Sequence, residues 1–370
     1  MAVPEILIVG GGIVGAACAR ALAHRGVSAT LIDAGPEPGA ATFAAAGMLA
    51  PFAEAVPEDP ILSLSVRARD LYYDLGPVLK QETGTDIRLR TDGILQVAFT
   101  EEEVAHTKNE AAWQRQSGFA ADWLTQEELR QAAPGIAPDA LGAALATEDG
   151  ALDPIALHTA LLDSAEARGT RVIRGERVEE VIMDQEVVAG ARTAAGLHRC
   201  GALVVAAGAW SGRLKGLPRP VSVEPIRGQM IALDWPDDEP PAIVYGCGGY
   251  VLHRGDEAIA GSTMEHAGFD ASVTEEGVRR IHHMVDRLYP RLAGAPVSRS
   301  WAGLRPGTPD GRPMVGPDPS IANLWYATGH GRNGILLAAI TGEILAQLYT
   351  GEEVEYDLAP LDPGRFWTSG

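Results

Sequence analysis

The chain has little cysteine and an excess of acidic over basic residues. Its three cysteines, Cys18, Cys200 and Cys247, lie far apart and lack the spacing of metal ligands or of a disulfide framework. We therefore expect three reduced thiols and no metal site. Lys and Arg number 30 against 49 Asp and Glu, which gives a formal net charge of −19. A surface of that sign repels phosphate backbones and anionic lipids, so neither nucleic acid nor a membrane surface is the expected partner.

Long apolar segments are missing as well. No apolar run reaches the roughly 20 residues that a membrane-spanning helix needs. The N-terminal pentapeptide MAVPE lacks the basic region of a signal peptide. Internal repeats and low-complexity linkers are absent from the sequence. With 370 residues, 46% of them apolar and 21% charged, the chain has the composition of a soluble globular protein of about two domains, and we expect it in the cytoplasm.

What is present begins with a strand, a glycine-rich turn and a helix. Residues 5–10 form a short apolar run that stops at glycines, which is typical of a buried parallel strand. Residues 13–24 favour a helix that ends near Gly26, and residues 28–33 favour a second strand. This order predicts a right-handed βαβ unit.

The turn of this unit has the spacing of a dinucleotide-binding motif. Gly10 permits a tight turn, Gly12 lets the backbone approach a pyrophosphate, and Gly15 lets the helix pack against the strand. The pyrophosphate would lie at the helix N-terminus, where N–H groups and the macrodipole favour anions. Asp33 ends the second strand and is placed to accept hydrogen bonds from ribose hydroxyls, which disfavours an adenosine 2′-phosphate. The motif alone leaves NAD and FAD open.

The remaining sequence alternates between helical and strand-like patterns. Residues 39–51 are too rich in Gly and Ala to form an ordinary core helix. Helical patterns lie at 61–82, 101–117, 126–133, 154–168, 274–288 and 334–349. Strand patterns lie at 171–183, 202–210, 228–235, 249–254, 257–264 and 324–329.

These patterns predict an α/β fold, α+β overall, with two domains that are both discontinuous. A Rossmann-like, nucleotide-binding βαβ domain is expected from residues 1–51, 151–220 and 301–370. An inserted substrate domain with a mostly antiparallel sheet is expected from residues 52–150 and 221–300.

Five sequence segments, which include the glycine motif, are together typical of one protein family. They are IVGGGIVGAACARALA, AAAGMLAP, VVAAGAWSG, WAGLRPGTPDGRPMVG and GHGRNGILLA, of which the last two are the most specific. With them the chain resembles the D-amino-acid oxidase superfamily of flavoproteins, and most closely the glycine oxidases of bacterial thiamine biosynthesis. The resemblance extends from Ile6 to about Leu348.

The resemblance implies noncovalent FAD and the oxidation of glycine or another small amino acid or amine, such as sarcosine, D-alanine or D-proline. The product would be the imino or keto acid, O₂ would be reduced to H₂O₂, and the reaction would serve thiamine thiazole biosynthesis. A D-amino-acid dehydrogenase that passes electrons to a quinone is the alternative enzyme. A flavin-binding sensor is the non-enzymatic alternative, and a flavoenzyme of tRNA is disfavoured by the net charge. A homodimer and a homotetramer are both compatible with the resemblance.

The chain departs from its relatives at two places. Gly248 stands where a histidine is often present in the family, two residues before Tyr250, which the resemblance places in the substrate pocket. No cysteine follows Cys247, so the C-terminal cysteine that tethers FAD in sarcosine-oxidase-like relatives is absent.

Four residues correspond by position to the substrate pocket of the family. The resemblance implies that Arg305 holds the substrate carboxylate, that Tyr250 lines the same pocket, and that Arg332 and Met48 lie close by. A guanidinium fork suits this task because it can grip a carboxylate with two parallel hydrogen bonds. The alternative roles are a structural ion pair for Arg305, a loop position for Arg332 and core packing for Tyr250.

The resemblance also implies a set of residues around the flavin. His330 is expected to serve in packing or a backbone hydrogen bond rather than as a base, because hydride transfer needs no residue to remove the α-proton. The predicted cofactor-binding residues are Gly10, Gly12, Ile13, Val14, Gly15, Asp33, Ala46, Gly47, Met48, Val178, Ala207, Gly208, Trp210, His330, Gly331, Arg332, Asn333, Gly334 and Ile335.

Overall fold

The structure, a computed structural model, describes residue 3 and residues 5–35, 37–52, 59–235 and 242–367. Its helices are α1 Ile13–His24, α2 Ala41–Ala44, α3 Leu62–Thr83, α4 Glu101–Gln116, α5 Gln126–Ala132, α6 Pro154–Ala167, α7 Glu275–Leu288 and α8 Gly334–Thr350. Within the described part of the chain, every helix is too short or too polar to span a lipid bilayer.

The strands are short and come from all parts of the chain. In chain order they are β1 Ile6–Val9, β2 Ala29–Asp33, β3 Gly39–Ala40, β4 Met48–Leu49, β5 Ile94–Ala98, β6 Ala121–Thr125, β7 Gly142–Ala146, β8 Gly150–Ala151, β9 Arg171–Arg174, β10 Val178–Asp184, β11 Val187–Thr193, β12 Gly196–Arg199, β13 Ala202–Val205, β14 Glu224–Asp234, β15 Ile243–Gly246, β16 Gly249–Arg254, β17 Glu257–Gly261, β18 Val297–Gly307, β19 Met314–Pro317 and β20 Leu324–Thr328.

A six-stranded sheet contains the predicted βαβ unit. Its order is β19-β20-β13-β1-β2-β9, and every neighbouring pair is parallel except β19 with β20. The four residues of β1 and the four of β13 are all buried, as expected for a parallel sheet with helices on its faces. The strand, helix and strand predicted at 5–33 are therefore confirmed.

Helices α1, α6 and α8 pack together beside this sheet, and small residues bring α1 and α8 close. A Cβ added to Gly342 of α8 would lie 2.6 Å from the carbonyl oxygen of Ala17 in α1. Glycine is therefore the residue that this helix crossing requires.

A nine-stranded sheet forms the other large layer. Its order is β3-β18-β14-β17-β16-β15-β5-β7-β6, and it is antiparallel except for the pairs β3–β18 and β15–β5. The longest ladder joins β14 to β18, from Glu224 opposite Gly307 to Leu233 opposite Val297. Helix α7 packs on this sheet through an apolar stripe with helical spacing, formed by Ile281, Met284, Val285 and Leu288.

Two predicted strands were wrong in extent because glycines interrupt them. The strand predicted at 171–183 is two strands in different sheets, since Gly175 between them has a φ of +79°. The strand predicted at 202–210 ends at Val205, and a 3₁₀ turn follows at Gly208–Arg213. Gly208 has a φ of +52°, which ends the extended conformation at the edge of the sheet.

The predicted division into two discontinuous domains stays a prediction. The nine-stranded sheet takes its strands from 94–146 and 224–307, with the short β3 added. Strand β18 runs without a break across the predicted boundary between 300 and 301. The outer limits of that division, at 1 and 370, lie outside the described residues.

A buried ion pair joins α3 to the turn that precedes β8. Arg69 is 4% exposed and Asp149 is fully buried. The Nη1 atom of Arg69 lies 3.1 Å from Oδ1 of Asp149, and Oδ2 accepts a hydrogen bond from the backbone N–H of Phe52 at 3.3 Å. The second terminal nitrogen of Arg69 bonds Glu148 at 2.9 Å. This pair fixes three segments of the chain to one another.

Replacing Arg69 with methionine should destabilise the protein strongly. The change leaves the carboxylate of Asp149 buried without its counter-charge, which costs about 3–5 kcal/mol in comparable cases. The measurement is the free energy of unfolding in urea. Lys80→Met is the control, because Lys80 lies on the same helix as Arg69 and its ion pair with Asp86 is exposed. Equal losses in the two variants would contradict the role assigned to Arg69.

Candidate functional site

One cavity extends from the glycine turn after β1 to the middle of the nine-stranded sheet. Arg305 and Tyr250 line it at the sheet, and Gly10 and Asp33 line it at the turn. The cavity is lined by every predicted cofactor-binding residue except Gly15: Gly10, Gly12, Ile13, Val14, Asp33, Ala46, Gly47, Met48, Val178, Ala207, Gly208, Trp210, His330, Gly331, Arg332, Asn333, Gly334 and Ile335.

Gly15 lies under the glycine turn instead of facing the cavity. A Cβ added to Gly15 would lie 2.0 Å from the carbonyl oxygen of Gly10. A Cβ on Gly10, whose φ is +105°, would lie 2.5 Å from the carbonyl oxygen of Ala206. Both glycines therefore allow β1, α1 and the end of β13 to meet at this turn.

The N-terminus of α1 opens toward the cavity. Gly12 is the N-cap residue and supplies no side-chain cap. The backbone N–H of Ile13 donates to Oγ1 of the buried Thr42 at 3.0 Å. A helix N-terminus lined by glycines favours an anionic group such as a pyrophosphate.

Asp33 fastens the glycine turn to the end of β2. Its Oδ2 accepts from the N–H of Gly11 at 2.6 Å, and its Oδ1 accepts from the N–H of Gly35 at 2.8 Å. An ionised carboxylate has about four lone-pair positions, so two bonds leave it able to accept from a hydroxyl as well. His158 of α6 binds the same turn, because its Nε2 lies 2.6 Å from the carbonyl oxygen of Gly11.

Charged residues line the cavity beyond the glycine turn, on the side away from the nine-stranded sheet. Val178 begins β10 and lines the cavity together with Glu176, Arg177 and Glu37. Arg177 and Glu37 form an ion pair across this end. The predicted position of Val178 beside the cofactor site is thus compatible with its place in the fold.

The Gly/Ala-rich segment 39–51 forms one wall of the cavity and is held by side chains of the nine-stranded sheet. The indole N–H of Trp301 donates to the carbonyl oxygen of Ala44 at 3.1 Å. Arg254 donates to the carbonyl oxygens of Ala46 and Leu152, the latter at 3.3 Å. Burial lowers the pKa of Arg254 from its ordinary value. The segment therefore presents small side chains to the cavity while its carbonyl groups are anchored behind it.

The loop before α8 forms another wall and is anchored from behind. The ring of His330 is 2% exposed, and its Nε2 lies 3.0 Å from Oγ1 of Thr341. Burial lowers the pKa of His330 to about 3, so the ring is neutral near pH 7. The hydroxyl of Tyr72 donates to the carbonyl oxygen of Ile335 at 2.5 Å. The packing role predicted for His330 agrees with these contacts, whereas the exposed Arg332 lies in the 3₁₀ turn that faces the cavity.

Arg305 occupies the sheet end of the cavity on β18. Its Nη1 donates to the carbonyl oxygen of Thr263 at 3.2 Å, and its Nη2 donates to Oγ of Ser262 at 2.6 Å. The guanidinium is half-buried and lines the cavity. A cation held by hydrogen bonds at the sheet end of a cavity suits the binding of a small carboxylate.

The walls around Arg305 are aromatic and sulfur-containing. The hydroxyl of Tyr250 on β16 lies 3.5 Å from the sulfur of Met230, and Tyr250 is paired across the ladder with Tyr245. Met48 and Met264 line the same region. Met48 and Tyr250 pack against a buried apolar cluster that contains Met230, so they form an apolar wall that can adapt to the shape of a ligand.

The turn between β15 and β16 forms part of the cavity mouth. Cys247 and Gly248 have φ values of +53° and +79°. A Cβ on Gly248 would meet no heavy atom within 4 Å. The cavity is therefore open beside Gly248.

Several lining or anchoring residues were missed at the sequence level. Thr42 is a lone hydroxyl in a Gly/Ala-rich run, and that contrast was the signal that could have revealed it. Ser262, Met264, Tyr245 and Arg254 carry no comparable local signal, because their place depends on strand pairing.

The cavity as a whole fits an extended dinucleotide next to a small anion. Its turn end combines a helix N-terminus with glycines that leave no room for a Cβ, its middle is lined by Gly and Ala, and its sheet end carries Arg305. A flavin dinucleotide fits this lining.

Comparison with known proteins agrees with this geometry. The family model described as FAD dependent oxidoreductase matches residues 5–348. The bifunctional protein ThiO/ThiG of Trichormus variabilis is 34% identical over 367 residues, which are 98% of this chain and 55% of the relative. The chain thus spans about half the length of the bifunctional relatives it matches.

A relative of similar length shares both sequence and structure. The glycine oxidase of Geobacillus kaustophilus is 33% identical over 360 residues, which are 96% of this chain and 95% of the relative. The crystal structure of glycine oxidase from Geobacillus kaustophilus matches with a TM-score of 0.93 at 32% identity and covers 99% of both chains. The chain therefore belongs to the family of FAD-dependent oxidoreductases.

Proposed function

We propose that the protein oxidises glycine or another small amino acid or amine, with FAD as its noncovalent cofactor and O₂ as the final electron acceptor. The products are the imino or keto acid and H₂O₂. The observation that carries the proposal is that one cavity has the dinucleotide turn at one end and Arg305 at the other. The similarity to proteins named glycine oxidase supports the choice of substrate.

The chain offers a continuous surface to hold FAD. The glycine turn and the α1 N-terminus would hold the pyrophosphate, Asp33 the ribose, and Val178 the adenine. The segment 46–48 would lie along the flavin ring, and backbone groups of 329–335 would face its pyrimidine end. When bound, FAD supplies the acceptor for the hydride that leaves the substrate α-carbon. Within the described chain no cysteine lines the cavity, which supports noncovalent binding.

The side chains at the sheet end would orient the substrate. Arg305 would grip the carboxylate, so that the α-carbon has one fixed position relative to the cofactor. Tyr250 would add a hydroxyl near the carboxylate, and Met48 would close the pocket around the α-carbon. Arg332 in the loop would add positive charge at the mouth. His330 is neutral and bonded to Thr341, so it is not assigned a proton to move.

The biological setting is proposed on similarity alone. The resemblance to bifunctional ThiO/ThiG proteins supports a role in thiamine thiazole biosynthesis. A cytoplasmic location and a homodimeric or homotetrameric assembly remain predictions of the sequence. Reduction of a quinone instead of O₂ is the competing outcome of the first experiment below.

Mixing the FAD-loaded protein with small amines in the absence of oxygen should bleach the flavin spectrum. The panel is glycine, sarcosine, D-alanine and D-proline, and the rate of bleaching ranks the substrates. Admitting O₂ should restore the spectrum with formation of H₂O₂. A protein that reduces a quinone-like dye but forms little peroxide would be a dehydrogenase, and a protein that no member of the panel bleaches would not be an amine oxidase.

Arg305→Ala should raise the KM for glycine while FAD stays bound. Loss of a paired charge contact to a carboxylate costs on the order of 2–5 kcal/mol of binding free energy. The measurement is the steady-state KM together with the FAD content. Arg299→Ala is the matched control, since Arg299 lies on the same strand and pairs with Glu257 at the surface. An unchanged KM in Arg305→Ala would place the carboxylate elsewhere.

His330→Gln should make the protein less sensitive to acid. The folded-state pKa of His330 is about 3 against an ordinary 6.5. Below pH 6.5 the unfolded chain takes up a proton that the folded chain does not, so stability is lost as the pH falls from 6.5 towards 3. Between pH 7.5 and pH 5 the wild type should lose about 2 kcal/mol more than the variant. Urea unfolding at both pH values, with saturating FAD, measures the difference, and parallel losses would contradict the assignment.

A further inference from the structure

The guanidinium of Arg305 is fixed on several sides by the protein. On one side it lies against Gly228 of β14, where an added Cβ would come within 2.2 Å of Nη1. On another it donates to the carbonyl oxygen of Thr263 and to Oγ of Ser262. The bond to Ser262, at 2.6 Å, is the shorter of the two. Ser262 therefore determines where Nη2 points.

Ser262 lines the cavity, and its hydroxyl can donate a hydrogen bond as well as accept one. Its oxygen accepts from Arg305, and a serine hydroxyl also carries one proton to donate. Among the described residues, that proton has no acceptor. Because Ser262 and Arg305 line the same end of the cavity, an anion bound to Arg305 would come within reach of the Ser262 hydroxyl.

The segment that carries Ser262 is held by a fully buried glutamine. The backbone N–H of Gln229 donates to Oγ1 of Thr263 at 2.9 Å. The side-chain Oε1 of Gln229 accepts from the N–H of Thr274 at 2.7 Å, and its Nε2 donates to Glu265 at 2.7 Å. Since Thr274 supplies an N–H and Glu265 a carboxylate, this orientation of the amide satisfies both partners.

A neighbouring ion pair holds the same segment from the outside. The side chain of Arg227, which is 7% exposed, bonds Glu265 and also Asp270 at 3.0 Å. The backbones of Arg227 and Glu265 exchange two hydrogen bonds of 2.9 Å. Ser262 therefore lies at the start of a segment whose position is fixed against β14, and its hydroxyl has a defined direction.

We propose that Ser262 is a substrate-binding residue that completes the carboxylate site. Its oxygen holds Nη2 of Arg305, and its O–H donates to the carboxylate of the substrate. The inference rests on the proposed function, because it requires that Arg305 binds a carboxylate. Gln229 acts behind it as a positioning residue.

Binding of propionate to the FAD-loaded protein tests this role without turnover. Propionate has the carboxylate of the proposed substrates and no amine, and its binding is followed by the change in flavin absorbance. Ser262→Ala should raise the Kd for propionate about tenfold, as expected for loss of a hydrogen bond to a charged group. Ser262→Thr keeps the hydroxyl and should stay within about threefold of the wild type.

The controls separate this role from a general loss of structure. Ser298→Ala removes a serine hydroxyl from the strand of Arg305, where it bonds the carbonyl oxygen of Ala232, and it should leave the Kd unchanged. The affinity for FAD should be the same in all variants. If Ser262→Ala fails to retain FAD, Ser262→Cys serves instead, because a thiol of similar size is a weak donor and should still raise the Kd.

The outcomes distinguish this inference from the proposed function. A wild type that is bleached by amino acids and binds propionate, with Ser262→Ala and Ser262→Cys equal to it, would overturn only the role of Ser262. A wild type that neither binds propionate nor bleaches would overturn both. A raised Kd in Ser262→Ala that threonine restores is the expected result.

Discussion

The meeting of β1, α1 and β13 at the glycine turn is the constraint on which the rest of the structure depends. Because Gly15 has no side chain, α1 can lie against the carbonyl group of Gly10. Because Gly10 has none either, the glycine turn can lie against the carbonyl group of Ala206. Any larger residue at these points would push the helix N-terminus away from the sheet edge. The absence of a side chain at Gly342 likewise lets α8 pack closely against α1. The position of α8 in turn sets the loop that carries His330, so the two ends of the chain define one wall of the cavity together.

The Gly/Ala-rich wall depends on contacts between the nine-stranded sheet and the N-terminal segment 39–51. Trp301 and Arg254 belong to strands of the nine-stranded sheet, yet they hold the carbonyls of Ala44 and Ala46, which follow β3 in the N-terminal segment. The Gly/Ala-rich wall therefore has small side chains but a backbone that is held in place. Its side chains are too small to pack firmly by themselves, and its stability comes from polar contacts to its backbone. The turn end and the sheet end of the cavity are thus linked through this wall.

Much of the fold follows from local patterns, whereas much of the site does not. The bounds of α1 and the family segments could be predicted because each depends on neighbours in the sequence. The lining by Gly10, Asp33 and Arg305 followed from motif and resemblance. The bond from Ile13 to Thr42 spans 29 residues, and that from Arg254 to Ala46 spans 208. Such contacts exist only after the strands have paired, so no local pattern in the sequence indicates them.

The same distinction explains the errors in the strands. The strand pattern at 171–183 predicts extended backbone throughout, but Gly175 adopts a φ of +79° and the two halves belong to different sheets. Glycine can adopt either an extended or a left-handed backbone. Which one Gly175 adopts is determined by the strands with which β9 and β10 pair.

The turn at Gly248 limits which substitutions the mouth of the cavity can accept. There is room for a side chain at this position, but the backbone is left-handed there, and a residue other than glycine would cost about 1–2 kcal/mol. Free space and permitted backbone conformation are therefore separate requirements at one residue. A histidine introduced at position 248 would meet the first requirement and would be strained by the second. The backbone of this turn, and not the space around it, therefore limits which side chains can line the cavity at position 248.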